Sequence, residues 1–370
     1  MPDALSADVL FEPARLGPLA LPNRIVMAPM TRSFSPSHAP GADVAAYYRR
    51  RAEGQVGLIL TEGVSPNETT ATGTPNVPNI VTDAAKAGWR RVVEEVHAAG
   101  GLIGMQIWHE GPHRNAAKTE YPNVPSWSAS GVKVPGKQIL EPMTEGEIDT
   151  AIGEFVDAAA SAKALGFDAV EFHGAHSYLI DNFFWRETNN RGDRFGGADW
   201  TTRTALAVEI IRRTREAVGA DFPLIIRLSQ WKQEDFQAKT AADPDDLAGW
   251  LAPLVDAGID AFHCSQRRFW EPCFDGSPMN FAGWAKKLTG KTAISVGSVG
   301  LSGEFTATYG GEVSEPASID GLVERLSGGE FDLIAVGRAL LKDPEWALKI
   351  RDGRLDALET FDKRDLATLY

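Results

Sequence analysis

The residues best suited to chemistry lie in one stretch, "AVEFHGAHSYLIDNFFWRETNNRGDRFGG" (169–197). A short apolar run there delivers His173, then His176, and Tyr178 follows two residues later. This spacing can bring both imidazoles to one side of a turn. Two donors aimed at one substrate oxygen stabilise the charge that develops on it. A phenol on the same loop can deliver a proton. Metal binding is the competing chemistry, but no third ligand is apparent in the sequence. A zinc or two-metal hydrolase therefore scores poorly, and no residue is assigned to a metal. The plain alternative is that both histidines only satisfy loop carbonyls.

Two further short motifs, "SVGS" (295–298) and "AVGR" (335–338), each end an apolar run in Gly plus a small or cationic residue. Singly, such glycines are read as allowing tight turns. Paired on neighbouring strands, with Arg338 able to offer a forked guanidinium contact, they are better read as a phosphate site.

The elements that must position these groups follow a loose repeat: an apolar run, a loop, then an amphipathic stretch. The runs are "RIVMAP" (24–29), "GLILTEG" (57–63), "LIGMQIW" (102–108), "AVEFHG" (169–174), "PLIIRLS" (223–229), "AFHCS" (261–265), "TAISVGS" (292–298) and "DLIAVGR" (332–338). They are nearly continuous in hydrophobicity, as expected of parallel strands buried on both faces. Helical patterns lie between most of them. In residues 83–100, Ala84, Ala87, Trp89, Val92, Val93 and Val96 are expected on one side, with Gly100 as the stop. In residues 144–166, Thr144 and Glu147 have capping-box spacing, and Gly166 ends the pattern. Eight such units predict a (β/α)8 TIM barrel, a fold of about 250 residues plus insertions. An open doubly wound sheet is the runner-up, but no Gly-x-Gly-x-x-Gly follows the first run.

Residues 8–22 read as an N-terminal hairpin closing the barrel bottom. Long βα-loop insertions are expected at 109–143, 178–200, 265–283 and 301–316, on the face where barrel active sites are built. No inter-domain linker is evident, so residues 1–370 are expected to form a single domain. The strand ends then converge on one cavity: Pro29, Met30 and Thr31; Glu62 and Gly63; Gln106 and Trp108; His173 and His176; Arg227; Gly297 and Ser298; Gly337 and Arg338. Few of these are carboxylates. Neutral hydrogen-bonding groups with two arginines suit a large polar anionic ligand better than acid–base hydrolysis.

Composition narrows the class further. The 370 residues are 43% hydrophobic and 24% charged, an ordinary globular composition. The net charge of −13 is spread along the chain, and no basic block points to nucleic acid. No long apolar run suggests a membrane span. The first residues lack a basic start followed by an apolar stretch, so no signal peptide is expected. The two cysteines, Cys264 and Cys273, suit a reducing compartment, and the cytoplasm is the expected location. They are too few for a cysteine-held iron–sulfur cluster, although one disulfide stays possible. Monomer and homodimer both remain open.

The motifs "LPNRIVMAPMTR", "GLILTEG", "MQIWHEG", the long 171–197 segment, "IIRLS" and "DLIAVGRALLKDPEW" together resemble the Old Yellow Enzyme family of FMN-dependent ene-reductases. The resemblance covers about residues 8 to 350. It implies non-covalent FMN, NADPH or NADH as reductant, and an activated alkene (enone, enal, maleimide or nitro compound) as substrate. It implies that Pro29, Met30 and Thr31 lie along the flavin, with Thr31 near O4. Gly63 would allow a close backbone approach, Gln106 would meet the pyrimidine edge, and Arg227 would sit by N1 and O2. His173 would border the flavin as well as the substrate. Gly297, Ser298, Gly337 and Arg338 would hold the phosphate. His173 and His176 would bind the substrate oxygen, Trp108 would line the pocket, and hydride from flavin N5 would add to the β-carbon while Tyr178 protonates the α-carbon.

Thr31 sets the chain apart from the thermophilic-like branch, which usually has Cys there. The familiar "WHxGR" is "WHEGPHR" here, with His109 and His113 expected to be structural. An aromatic pair common after the last arginine is replaced by Ala339 and Leu340. Arg267, Arg268, Phe269 and Trp270 make the 265–283 loop unusual, and its aromatics are candidates to cover the pocket. The tail "NNRGDRFGG" is expected to brace the catalytic loop. Larger dienoyl or amine dehydrogenase relatives carry an iron–sulfur cluster, which two cysteines cannot hold. The remaining alternative is a flavin-binding redox sensor without alkene turnover, though a placed acid has no use there.

Overall fold

The computed structural model describes residues 6–305 and 310–370. Eight parallel strands close into a barrel: β1 Ile25–Met27, β2 Leu58–Val64, β3 Ile103–Ile107, β4 Ala169–Gly174, β5 Leu224–Ser229, β6 Ala261–Ser265, β7 Thr292–Val296 and β8 Leu333–Val336. Each coincides with one of the apolar runs, β2 extending one residue past its run to Val64. The ring closes where β8 pairs with β1, Ile334 opposite Ile25. Strand residues alternate between two cores. Leu58, Leu60, Ile225 and Ile294 fill the barrel interior, while Ile59, Ile226 and Ile334 face the helices.

The expected hairpin is present, with Ala14–Leu16 antiparallel to Leu19–Leu21. Its Leu16 and Leu21 join the interior cluster, so it plugs the barrel at the strands' N-terminal end. The helix Glu145–Leu165 carries the predicted Thr144/Glu147 capping box and ends at Gly166 in the left-handed region. The helix Asp83–Ala98 buries Ala85, Trp89, Val92, Val93 and Val96. Ala84 and Ala87 are exposed instead, because the apolar face is set by Trp89 and the valines, and Ala85 is the alanine in phase with them.

The excursion after β3 contains a small hairpin, Val132–Val134 with Lys137–Gln138. The segment after β4 begins with the helix Leu179–Phe184. The loop 301–316 lies partly outside the described residues. A further long connection, 230–243 between β5 and the helix Pro244–Asp256, was not anticipated. Among the described residues no helix is long and apolar enough to cross a membrane.

Candidate active site

A cavity of about 510 Å³ opens at the C-terminal ends of the strands, within the range of roughly 300–1,000 Å³ usual for ligand clefts. Pro29, Met30, Thr31, Gln106, Trp108, His173, His176, Tyr178, Arg227, Gly297, Ser298, Gly337 and Arg338 all border it. The predicted residues therefore converge, except for the two from the end of β2. Glu62 turns instead to the backbone N–H groups of Arg32 and Ser33, and Gly63 does not line the cavity either. A Cβ there would meet the Trp108 ring at 2.5 Å, so the glycine makes room for an indole of the same site.

Parallel register aligns the central groups. His173 on β4 is level with Arg227 on β5, which is level with His263 on β6. Two residues earlier on β4, pointing the same way, Glu171 is fully buried. It receives Gln106 Nε2 on one oxygen at 2.8 Å and contacts His263 Nδ1 with the other at 2.6 Å. Gln106 is thus braced from beneath while it borders the cavity. The Arg227 guanidinium, buried above Glu171, makes no hydrogen bond or ion pair to any described residue, and its Nε is orphaned. Burial lowers its pKa from 12.5, but an arginine remains charged. A buried cation without a partner is costly and calls for an anionic or electron-rich ligand.

The aromatic wall stands beside this cation. The Tyr178 ring meets Trp108 edge-on at 5.0 Å and His173 edge-on at 4.9 Å. The two histidine rings are 5.0 Å apart and nearly perpendicular. Burial, reinforced by the positive Arg227, pushes both imidazoles well below 6.5, so each is neutral with a single N–H. His173 Nδ1 is buried without a partner. The arrangement offers neutral donors and a phenol to one small volume, which suits polarising an oxygen and moving a proton.

At the opposite end, Gly297 has φ +146°, and a Cβ there would strike the Gln266 carbonyl at 2.5 Å. Ser298 follows in the left-handed region, φ 49°. Arg338 reaches across to the Gly303 carbonyl at 2.5 Å, the Glu304 carbonyl at 3.1 Å and Ser314 Oγ at 3.1 Å. The arginine thus anchors the segment after β7 as well as bordering the cavity.

Several lining residues escaped the sequence reading. Trp231, Gln233 and Phe236 come from the loop after β5, Ser265 ends β6, and Phe361 and Leu366 come from the segment that follows the helix Trp346–Arg351. Arg267, from the unusual 265–283 loop, borders the cavity as well. Arg267 lies 4.2 Å above the Phe236 ring and pairs with Glu304. Phe269 is buried and Trp270 exposed, but neither borders the cavity; Trp231 and Phe236 provide the aromatic cover instead. The only available signal for them was a tryptophan and a phenylalanine in a polar segment, which singly mean little. His109 is buried against Trp127 and pushed down to about 3, which makes it a structural neutral imidazole. His113 Nε2 lies 2.7 Å from Glu234 Oε1. The "NNRGDRFGG" tail is a brace: Arg191 binds Asp193 and the carbonyls of Ala129 and Met143. Cys264 and Cys273 are free and buried. Among the described residues no group of three or more His, Cys, Asp or Glu could hold a metal.

Comparison with known proteins finds relatives over nearly the whole chain. Residues 9–357 match the family described as NADH:flavin oxidoreductase / NADH oxidase. An NADH oxidase of Thermoanaerobacter brockii is 33% identical over 353 residues, 93% of this chain, which spans 51% of that oxidase's length. The structure of morphinone reductase in complex with tetrahydroNAD superposes with a TM-score of 0.80 at 28% identity, covering 96% of this chain and 93% of the other. Old Yellow Enzyme from Pichia sp. AKU4542 gives 0.79 at 25% identity, covering 98% and 91%.

Proposed function

The chain belongs to the NADH:flavin oxidoreductase / NADH oxidase family, which includes the Old Yellow Enzymes, and on that premise we propose that it is an FMN-dependent, NAD(P)H-driven reductase of activated alkenes. The observation that carries this reading is the convergence of His173, His176 and Tyr178 on the cavity that also holds the unpartnered Arg227. The reading takes residues 1–370 as one FMN-binding barrel domain. Two free cysteines support a reducing compartment, the cytoplasm.

The residues present fit FMN. The orphaned Arg227 guanidinium suits the electron-rich pyrimidine end, and the braced Gln106 can meet the same edge. Pro29, Met30 and Thr31 line the cavity beside His173, and they would form a wall for the ring with His173 bordering it. Gly297, Ser298, Gly337 and Arg338 form the end suited to a phosphate, where the left-handed backbone and a guanidinium come together. Bound FMN would supply the hydride chemistry, taking a hydride from NADPH or NADH and delivering it to the alkene's β-carbon.

The chain's own part is polarisation and proton delivery. His173 and His176 donate to the carbonyl or nitro oxygen, which draws electron density from the β-carbon. Because both rings are neutral, they act as donors and not as acids. Tyr178 O–H then supplies the proton to the α-carbon. Trp108 fixes the Tyr178 ring edge-on and, with Trp231 and Phe236, shields the pocket from water.

The test is an anaerobic visible-absorbance titration of the purified flavin-loaded protein with NADPH and NADH in turn, followed by 2-cyclohexenone. A flavin spectrum that bleaches with the nicotinamide and returns with the enone is expected. Absence of flavin even after adding FMN would overturn the reading of Arg227, Gly297 and Arg338. Bleaching without return would remove the roles given to His173, His176 and Tyr178.

A further inference from the structure

His176 is held by residues that lie outside its own loop. Both His176 and Ser177 are non-glycine residues in the left-handed region, φ 62° and 64°. Such conformations cost on the order of 1–3 kcal/mol each and persist only where the surroundings enforce them. The end of β5 and the loop that follows it do the enforcing. Ser229 Oγ accepts the His176 N–H at 3.0 Å, and Gln233 Nε2 donates to the His176 carbonyl at 2.7 Å. Trp231 stacks on the imidazole at 4.4 Å with 26° between the planes. Trp231 Nε1 in turn donates to the Ser265 carbonyl at 3.2 Å. The backbone, ring plane and ring edge of His176 are all fixed relative to β6.

The ring edge carries the chemistry. His176 Nε2 is 2.8 Å from Ser265 Oγ. That hydroxyl has no other hydrogen-bond partner among the described residues, and neither does His176 Nδ1. A serine hydroxyl can donate or accept, and a neutral imidazole has one N–H. If Nε2 carries the proton, Nδ1 turns a lone pair to the cavity and repels a carbonyl oxygen. If Ser265 donates to Nε2, the proton sits on Nδ1 and the ring becomes a donor there. The hydrogen bond at one ring nitrogen thereby sets the state of the other.

We propose that Ser265 is a positioning residue that holds His176 as its Nδ1–H tautomer, so that Nδ1–H is the donor presented to the oxygen of a carbonyl or nitro substrate. Trp231 keeps the ring in the plane that this exchange needs. The substrate part rests on the function proposed above; the tautomer part rests only on the geometry of His176, Ser265 and Trp231.

The test uses flavin-loaded protein with 15N-labelled histidine and long-range 1H–15N spectra, the His176 signals being identified by their loss in His176→Gln. The wild type is expected to show a protonated Nδ1 and a bare Nε2. Ser265→Ala should shift His176 toward the Nε2–H form and raise KM for 2-cyclohexenone roughly tenfold, the scale of one hydrogen bond, with a smaller change in kcat. Ser265→Thr, which keeps the hydroxyl, should restore both. An Nε2–H tautomer in the wild type overturns the proposal even if the alanine variant fails to fold. An unchanged tautomer in Ser265→Ala overturns it too. An Nδ1–H tautomer that depends on Ser265, in a protein that reduces no enone, would uphold the tautomer assignment and remove the substrate reading.

Discussion

Lys232 Nζ stands 2.5 Å from Asp181 Oδ1, and neither side chain has any exposure. The other Asp181 oxygen accepts the Ser177 N–H at 2.7 Å. This single ion pair therefore joins the loop after β5 to the loop that carries His176 and Tyr178. Burial pushes the aspartate pKa up and the lysine pKa down, and mutual attraction opposes both shifts.

Breaking the pair from one side leaves a buried charge unmatched. Lys232→Met is expected to cost about 3–5 kcal/mol in urea unfolding, together with a loss of enone turnover as the left-handed turn at Ser177 relaxes. Lys232→Met combined with Asp181→Leu should recover most of the stability, because an apolar pair of similar volume can replace a buried ion pair. A single variant as stable as the wild type would show that the pair contributes nothing.

Tyr178→Phe keeps the ring against Trp108 and His173 and removes only the hydroxyl. FMN content and nicotinamide oxidation should stay unchanged. Enone reduction should fall roughly 10²–10⁴-fold, the range for a placed general acid. Single-turnover rates of the pre-reduced protein with 2-cyclohexenone give the answer directly. An unchanged rate there would assign the proton to another donor.

How much of this could be read from the sequence differs by element. The eight runs became the eight strands because continuous hydrophobicity is what a doubly covered strand requires. The strand-end residues became the cavity because a closed barrel leaves them no other place to converge. Thr144 and Glu147 announced a helix start through a local motif that needs no tertiary context. The loop after β5 had no such signal. "SQWKQED" lacks periodicity and turn chemistry, and its Trp231, Lys232 and Gln233 act through partners in the segment after β4 and on β6. Gly63 shows the same limit. A strand glycine suggests a close approach, but whether a ligand or an indole fills the space is decided by a neighbouring strand.

Arg338→Ala should weaken FMN binding by two routes at once. It removes a charge-assisted contact worth about 1.5–3 kcal/mol, and it releases the carbonyls of Gly303 and Glu304 that the guanidinium holds. Burial brings Arg338 down to about 10, so it stays protonated and the effect should not vary between pH 6 and 8. The FMN dissociation constant, read from recovery of free flavin fluorescence on dilution, should rise by one to two orders of magnitude. An unaltered constant would count against the phosphate assignment.

Residues that follow the helix Trp346–Arg351 close one side of the cavity. Phe361 and Leu366 border it, and Phe361 pairs with Ser314, which also receives Arg338. Arg32 fastens this segment by donating to the carbonyls of Leu366 and Thr368 at 3.2 and 2.6 Å. Deleting residues 358–370 should speed FMN release while leaving the barrel folded, since the segment contributes no strand. Retention of flavin at the wild-type rate in a folded truncation would show that this wall is dispensable.

Glu62 gives the fold a pH dependence of known sign. Its Oε2 accepts the N–H groups of Arg32 and Ser33, shaping the turn that follows Thr31. Burial nevertheless pushes its pKa up from 4.5 to about 7, and Oε1 has no partner. The folded state therefore holds this proton more tightly than the unfolded chain. Between pH 4.5 and 7 the unfolded chain releases its proton first, so the contribution of Glu62 to stability falls as pH rises and is fully lost above pH 7. The loss is on the order of 3 kcal/mol. Glu62→Gln keeps an oxygen for both N–H groups and carries no titrating charge. The Tm of the variant relative to the wild type should therefore climb from pH 5 to pH 8. A Tm difference that stays constant across that range would mean that Glu62 is already ionised at pH 5.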